Sequence, residues 1–144
     1  MISDICVTTE RRPTVAQFLS VLKRSTLDRR RPVDDVDALG LMVENATFWA
    51  TAWHGEELIG VARSLTDFAW CCYLSDLAVD AAWQRRGVGR RLIAATRAAL
   101  PAPCTLILLA APAAAGYYPR LGFEQHPSAW TLKGGPVTMP GEID

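Results

Sequence analysis

The spacing of apolar positions changes period several times along the chain, and the changes place its elements. A run of β type, Ile2–Thr8, leads to Pro13 and Thr14. Val15, Phe18, Leu19 and Leu22 then fall on one helical face, predicting an amphipathic helix through about Arg24. The polar stretch STLDRRRPVDD follows as a link, and either Asp34 or Asp35 can cap a second helix carrying Val36, Leu39, Met42 and Val43. Two β-runs, Ala46–Trp53 and Leu58–Leu65, flank the turn His54-Gly55-Glu56-Glu57 and read as a hairpin, and Cys71–Val79 continues the meander.

Beyond Val79 the pattern turns helical again. The loop DAAWQRRG opens a helix from about Val88 to Leu100, with Val88, Leu92, Ala95, Thr96 and Ala99 on one face and Pro101 and Pro103 as stops. CTLILLAA is a short, continuously apolar run, the kind of strand buried on both faces. A further helix is predicted over Ala113–Leu121, closed by Gly122 as a left-handed cap, then a last strand or short hairpin over Phe123–Leu132. From about Lys133 the tail has no periodicity. The order β-α-α-β-β-β-α-β-α-β is an α+β layout. Its sheet must be mixed but mostly antiparallel, since the late strand–helix–strand crossover needs parallel neighbours. Neither a repeat nor a linker interrupts it, so residues 1–144 are expected to form a single domain.

Charge and composition narrow the partners. Fifteen basic residues balance fifteen acidic ones, which removes any whole-surface attraction to nucleic acid or to an anionic membrane. The start MISDICVTTERR lacks a charged-then-apolar signal pattern and no apolar run has bilayer length, so a cytoplasmic location is expected. Cys6, Cys71, Cys72 and Cys104 form no Cys-x-x-Cys pair, and His54 and His126 lie far apart; reduced, packed thiols and no metal are the expectation.

One stretch resists a structural explanation. Gln84-Arg85-Arg86-Gly87-Val88-Gly89-Arg90-Arg91 gathers four arginines and two glycines at a helix start, where the macrodipole favours negative charge. Bare backbone at Gly87 and Gly89 lets successive N–H groups converge on an anion, and the guanidiniums add charge-assisted bonds. A dinucleotide fingerprint needs a third glycine where Leu92 stands, and a phosphate-binding P-loop needs Lys-Ser/Thr where Arg90-Arg91 stand. Both fail, which leaves an anion cradle of another type.

LSDLAVDAAWQRRGVGRRLI resembles motif A of the GNAT superfamily of N-acetyltransferases, with its Gln/Arg-x-x-Gly-x-Gly/Ala signature. LILLAAPAAAGYYPRLGF resembles motif B, ending on Tyr118, Gly122 and Phe123. The resemblance runs from Thr14 to Leu132 and implies the GNAT acyl-coenzyme A fold, its sheet splayed after the fourth strand. It implies that the anion is the pyrophosphate of acetyl-CoA, cradled by Gln84, Arg85, Arg86, Gly87, Val88, Gly89 and Arg90. The backbone of Leu77, Ala78 and Val79 would meet the pantetheine arm as a pseudo-strand, and the amide of Val79 or its neighbour would face the thioester oxygen.

The implied chemistry is direct attack of an amine, on a small molecule or a peptide, in a ternary complex. Tyr118 matches the family's general acid, with Tyr117 as the alternative should the register differ by one. Asp76 is the sole carboxylate of the Cys71–Val79 strand and stands open between a base and a strand acid bonded to its neighbours. Arg63, Asp67, Trp49 and Tyr73 are substrate candidates, with Trp53, Trp70 and Trp130 as further pocket aromatics; Arg63 and Asp67 are equally open to pairing with each other. Cys71 and Cys72 lack the paired base of an acyl-cysteine route. A non-catalytic acyl-CoA sensor of the same fold is the alternative, and the resemblance admits a homodimer.

Overall fold

The first helix begins where the Thr14 hydroxyl accepts the Gln17 amide (3.1 Å) while the Gln17 side chain accepts the Thr14 amide (2.9 Å). This reciprocal capping box satisfies two of the donors that a helix start leaves open. The computed structural model describes residues 4–134. The first residues of the predicted strand Ile2–Thr8 and nearly all of the predicted irregular tail therefore lie outside the described residues.

Among those described, β1 spans Ile5–Thr8 and α1 spans Val15–Ser25. In the predicted link, Leu27–Arg30 makes one 3-10 turn. Asp35, not Asp34, caps α2 (Val36–Asn45) by accepting the Ala38 amide at 3.0 Å. The hairpin strands β2 (Phe48–His54) and β3 (Glu57–Thr66) and the third meander strand β4 (Cys71–Val79) stand where periodicity placed them. Helix α3 runs Val88–Ala98, and β5 is Thr105–Ile107.

The strands form one sheet in the order β1-β2-β3-β4-β5, antiparallel except for the parallel β4–β5 pair. Alternation sorts its two faces. Trp49, Val61 and Ala78 join Phe18, Val21, Leu22 and Leu39 in a core beneath α1 and α2. Each such fully buried large side chain contributes about 1.5–3 kcal/mol. The opposite face is lined by small residues, with Ala50 opposite Ala62 and Ala52 opposite Gly60, and α3 packs closely there. A Cβ at Gly60 would stand 3.1 Å from Leu92 Cδ1 and 3.3 Å from Val88 Cγ1, so glycine sets how near the helix approaches.

Backbone packing divides the chain into two compact units, Met1–Leu109 and Ala110–Asp144. Expectation and structure part company near and beyond that division. The apolar run CTLILLAA makes a strand of only three residues, and Ile107 and Leu109 are half exposed instead of buried on both faces. Its ladder is with Cys71–Tyr73, and no strand pairs with its outer flank among the described residues. The helix predicted over Ala113–Leu121 is two separate 3-10 turns, Pro112–Ala114 and Tyr118–Leu121. Pro119 has no N–H to continue an α-helical ladder, and Gly116 lowers helix propensity. Gly122 does take the left-handed cap, at φ 90°. No strand forms over Phe123–Leu132 among the described residues; Pro127 withholds a ladder donor, and Trp130 and Leu132 stand exposed.

Candidate active site

The loop between β4 and α3 is anchored at its start. Asp80 accepts the Ala82 amide at 2.9 Å, opening a 3-10 turn over Ala81–Trp83, and its carboxylate also pairs with Arg24 of α1. Gln84 Nε2 donates to the Val79 carbonyl at 2.9 Å. Two left-handed residues then reverse the chain, Arg85 at φ 63° and Gly87 at φ 80°, and Gly87 is the N-cap of α3. Because glycine supplies no capping side chain, the amides of Val88, Gly89 and Arg90 open the helix with no side-chain acceptor at the cap. Gln84, Arg85, Arg86 and Arg90 are exposed around them. The Arg86 guanidinium lies over the Trp83 ring at 5.1 Å. Arg91, the fourth arginine, reaches back to the Ile5 carbonyl (3.1 Å) and so ties α3 to β1.

Beside this loop β4 has an open edge. The Asp80 amide donates to the Ile59 carbonyl at 2.8 Å, so antiparallel alternation turns the backbone groups of Ala78 and Asp76 toward β3 as well. Those of Leu77 and Val79 point to the other side. There the β4–β5 ladder ends at Tyr73 opposite Ile107, leaving Leu77 and Val79 without a strand neighbour among the described residues. Ala78 is thereby removed from the predicted pseudo-strand contacts. Its backbone serves β3 and its side chain lies in the helix-covered core.

A bulge immediately precedes the open edge. Arg63 pairs with Asp76 but Ser64 pairs with Leu74, so Ser75 is the extra residue. The Asp76 carboxylate, fully buried, accepts from Arg31 Nε with one oxygen and Arg63 Nε with the other. Arg31 also donates to the Ser75 carbonyl (2.7 Å), and Arg63 to the Ser75 hydroxyl (2.9 Å). Of the two readings open for Asp76, these bonds favour the strand acid held by its neighbours over the base, because the two guanidiniums occupy both of its oxygens. Arg63 and Asp67 do not pair. Asp67 instead caps the β3–β4 turn, where the Trp70, Ala69 and Cys71 amides hold its carboxyl below the ordinary value.

Trp49 and Trp53 are core residues, each 1% exposed. Phe18 meets Trp49 edge-on, and the Trp53 indole donates to the Thr51 hydroxyl. Tyr73 and Trp70 are exposed. Sequence alone places Arg31 in a polar link, and its role depends on the tertiary contact with Asp76; the available signal is an arginine run in a chain whose Cys71–Val79 strand holds a carboxylate.

In the second unit, Tyr118 opens the second 3-10 turn and meets Phe123 and Tyr117 edge-on, at 5.5 Å and 5.3 Å between ring centroids. Burial, with the neighbouring Tyr117 adding to it, pushes its hydroxyl above the ordinary value, so it stays protonated at neutral pH. Among the described residues no group of His, Cys, Asp and Glu could hold a metal ion, and no helix is long and apolar enough to cross a membrane.

A bulged fourth strand with an open edge, running into a helix opened by glycine and bare amides, defines the acyl-coenzyme A N-acyltransferase fold. Solved structures share this fold. A protein of unknown function from meticillin-resistant Staphylococcus aureus superposes at a TM-score of 0.75, with 19% identity over 92% of this chain and 99% of that one. A GNAT-family acetyltransferase of Streptococcus pneumoniae gives 0.66, with 18% identity over 90% and 99% of the two chains. An aminoglycoside acetyltransferase from an uncultured soil metagenomic sample gives 0.65, with 17% identity over 92% and 98%. At these identities the likeness is one of fold. No curated protein matches the chain. Residues 44–125, more than half of the sequence, match the family model described as an acetyltransferase (GNAT) domain, and the chain belongs to that family of acetyl-CoA-dependent acetyltransferases.

Proposed function

We propose that the chain transfers the acetyl group of acetyl-CoA to a primary amine by direct attack in a ternary complex. The observation that carries this reading is the junction, among the described residues, of a strand edge without a neighbouring strand and a helix start without a side-chain cap. The Leu77–Val79 edge suits a peptide-like pantetheine arm, and the α3 amides after Gly87 suit a pyrophosphate. Acetyl-CoA, when bound, supplies a thioester carbon that accepts the amine lone pair; the C–N bond forms, and the C–S bond breaks with its electron pair leaving on sulfur.

The chain's own residues bind and orient. Arg85, Arg86 and Arg90 add charge-assisted bonds around the α3 amides. The Val79 amide, turned to the open side, stabilises the oxygen on which negative charge develops. Tyr118 is carried as the proton donor to the departing sulfur, with Tyr117 as the alternative; its raised value keeps the proton available at neutral pH. The amine gives up one proton and the thiolate gains one, so the net products are the amide and the free coenzyme thiol. The family match crosses the Leu109–Ala110 division, which supports reading residues 1–144 as one functional domain.

The test is a panel of primary amines with acetyl-CoA, reading release of the free thiol. Acetylation of an acceptor with stoichiometric thiol release is expected. Coenzyme binding with no turnover on any amine would turn the reading to a non-catalytic sensor.

A further inference from the structure

The bulge beside the open edge of β4 carries a charge imbalance that bears on the acceptor. Among the described residues Arg31 and Arg63 share one carboxylate, Asp76, leaving one positive charge over. The surplus is largely withdrawn from water: the side chains of Arg63 and Asp76 are 8% and 0% exposed, and that of Arg31 is 20% exposed. Asp28, Asp34 and Asp35 of the neighbouring link make no ion pair with either guanidinium, and Asp35 is engaged in capping α2. Arg29 and Arg30 add two exposed cations to the same link.

The other acceptors of the two guanidiniums carry no charge. Ser75 offers its carbonyl and hydroxyl and Arg30 its carbonyl, all neutral. The Nη1 of Arg63 makes no hydrogen bond among the described residues. Trp49, opposite Arg63 in the β2–β3 ladder, buries its indole N–H without an acceptor. Uncompensated charge in a site of this kind is costly, and the guanidinium fork matches a carboxylate or phosphate.

The register shows where such a group would sit. Val61, Arg63 and Leu65 alternate onto one face of β3; Val61 lies under the helices, while Leu65 and its partner Tyr73 are 38% and 36% exposed. The two guanidiniums thus stand where helical cover ends, and the open edge at Leu77 begins two residues past the bulge.

We propose that the acceptor amine carries an anionic group, a carboxylate or a phosphate, seated against Arg31 and Arg63, with its apolar part over Leu65 and Tyr73. This rests on the acetyl-transfer reading. The experiment compares matched amines: L-phenylalanine against its methyl ester and 2-phenylethylamine, and O-phosphoethanolamine against ethanolamine. In at least one set the anionic member should exceed its neutral partners at least tenfold in kcat/KM, and the set that responds tells carboxylate from phosphate. Arg63→Gln should bring that ratio toward one while acetyl-CoA affinity, measured by calorimetry, is retained.

The wild-type comparison decides the matter even if the variant fails to fold. Equal or better turnover of the neutral members overturns the inference and leaves acetyl transfer standing. Coenzyme binding with no turnover of any member also counts against it. Absence of coenzyme binding would sink acetyl transfer, and this inference with it.

Discussion

Gly87 offers a way to test the anion cradle by charge alone. It sits at φ 80° and ψ 9°, and a Cβ added there would meet nothing within 4 Å. Replacement therefore brings no clash, only the left-handed penalty of about 1–2 kcal/mol, which is smallest for Asn and Asp. Gly87→Asn and Gly87→Asp are nearly isosteric, and both are good N-caps, so their stabilities should agree closely. They differ by one negative charge beside the amides of Val88 and Gly89. At about 6 Å from a phosphate, and an effective dielectric of about 20–40, the repulsion is about 1.4–2.8 kcal/mol. That is about a 10- to 100-fold weaker Kd for the Asp variant. Calorimetric titration with acetyl-CoA measures the ratio, and thermal denaturation confirms matched stability. Added salt should narrow the gap, since the charges are near the surface. Affinities within twofold of each other at low salt would refute the placement of an anionic ligand at this helix start.

Other predictions address different parts of the molecule. Tyr118→Phe should lower kcat by about 100-fold or more while leaving coenzyme affinity intact, and single-turnover kinetics with calorimetry separates the two. Asp76→Ala strands two guanidiniums and should cost about 3–5 kcal/mol in a denaturant titration; a loss below 1 kcal/mol would show that the ion pairs do not hold the bulge. Burial pushes the Cys72 thiol above its ordinary value of 9.0, so the fold favours the protonated form. That stabilisation is complete below the ordinary value and is lost as pH rises past it, because the unfolded thiol ionises first. Melts between pH 8 and 10 should show a loss that Cys72→Ala removes. With an aromatic disulfide reagent at neutral pH, the exposed Cys6 and Cys71 should react before the buried Cys72 and Cys104.

Sequence and structure agree where the signal is local. The helix start at Thr14, the β4 limits and the left-handed Gly122 follow from residue types at fixed spacings, because each depends on atoms within a few residues. Apolar periodicity likewise located α1, α2 and α3, since burial of one face is written every three to four residues. The same rule failed past Ile107. Apolar residues there record a tendency toward burial, but a strand also needs a neighbour to receive its hydrogen bonds, and no strand forms over Phe123–Leu132 among the described residues.

What the sequence by itself determined is therefore the order of elements as far as α3 and the presence of a glycine-opened, arginine-rich loop of GNAT type. The tertiary structure alone decided the partners of its charges and aromatics. Asp76 reads as a potential base in a list of residues, yet Arg31, distant in sequence, and Arg63, on the adjoining strand, claim both its oxygens. Trp49 reads as a pocket aromatic, yet strand alternation turns it beneath Phe18. Both outcomes depend on which strand lies beside which and in what register, and a one-residue slip there would move every side chain to the other face. That information belongs to the sheet as a whole and to no single segment of it.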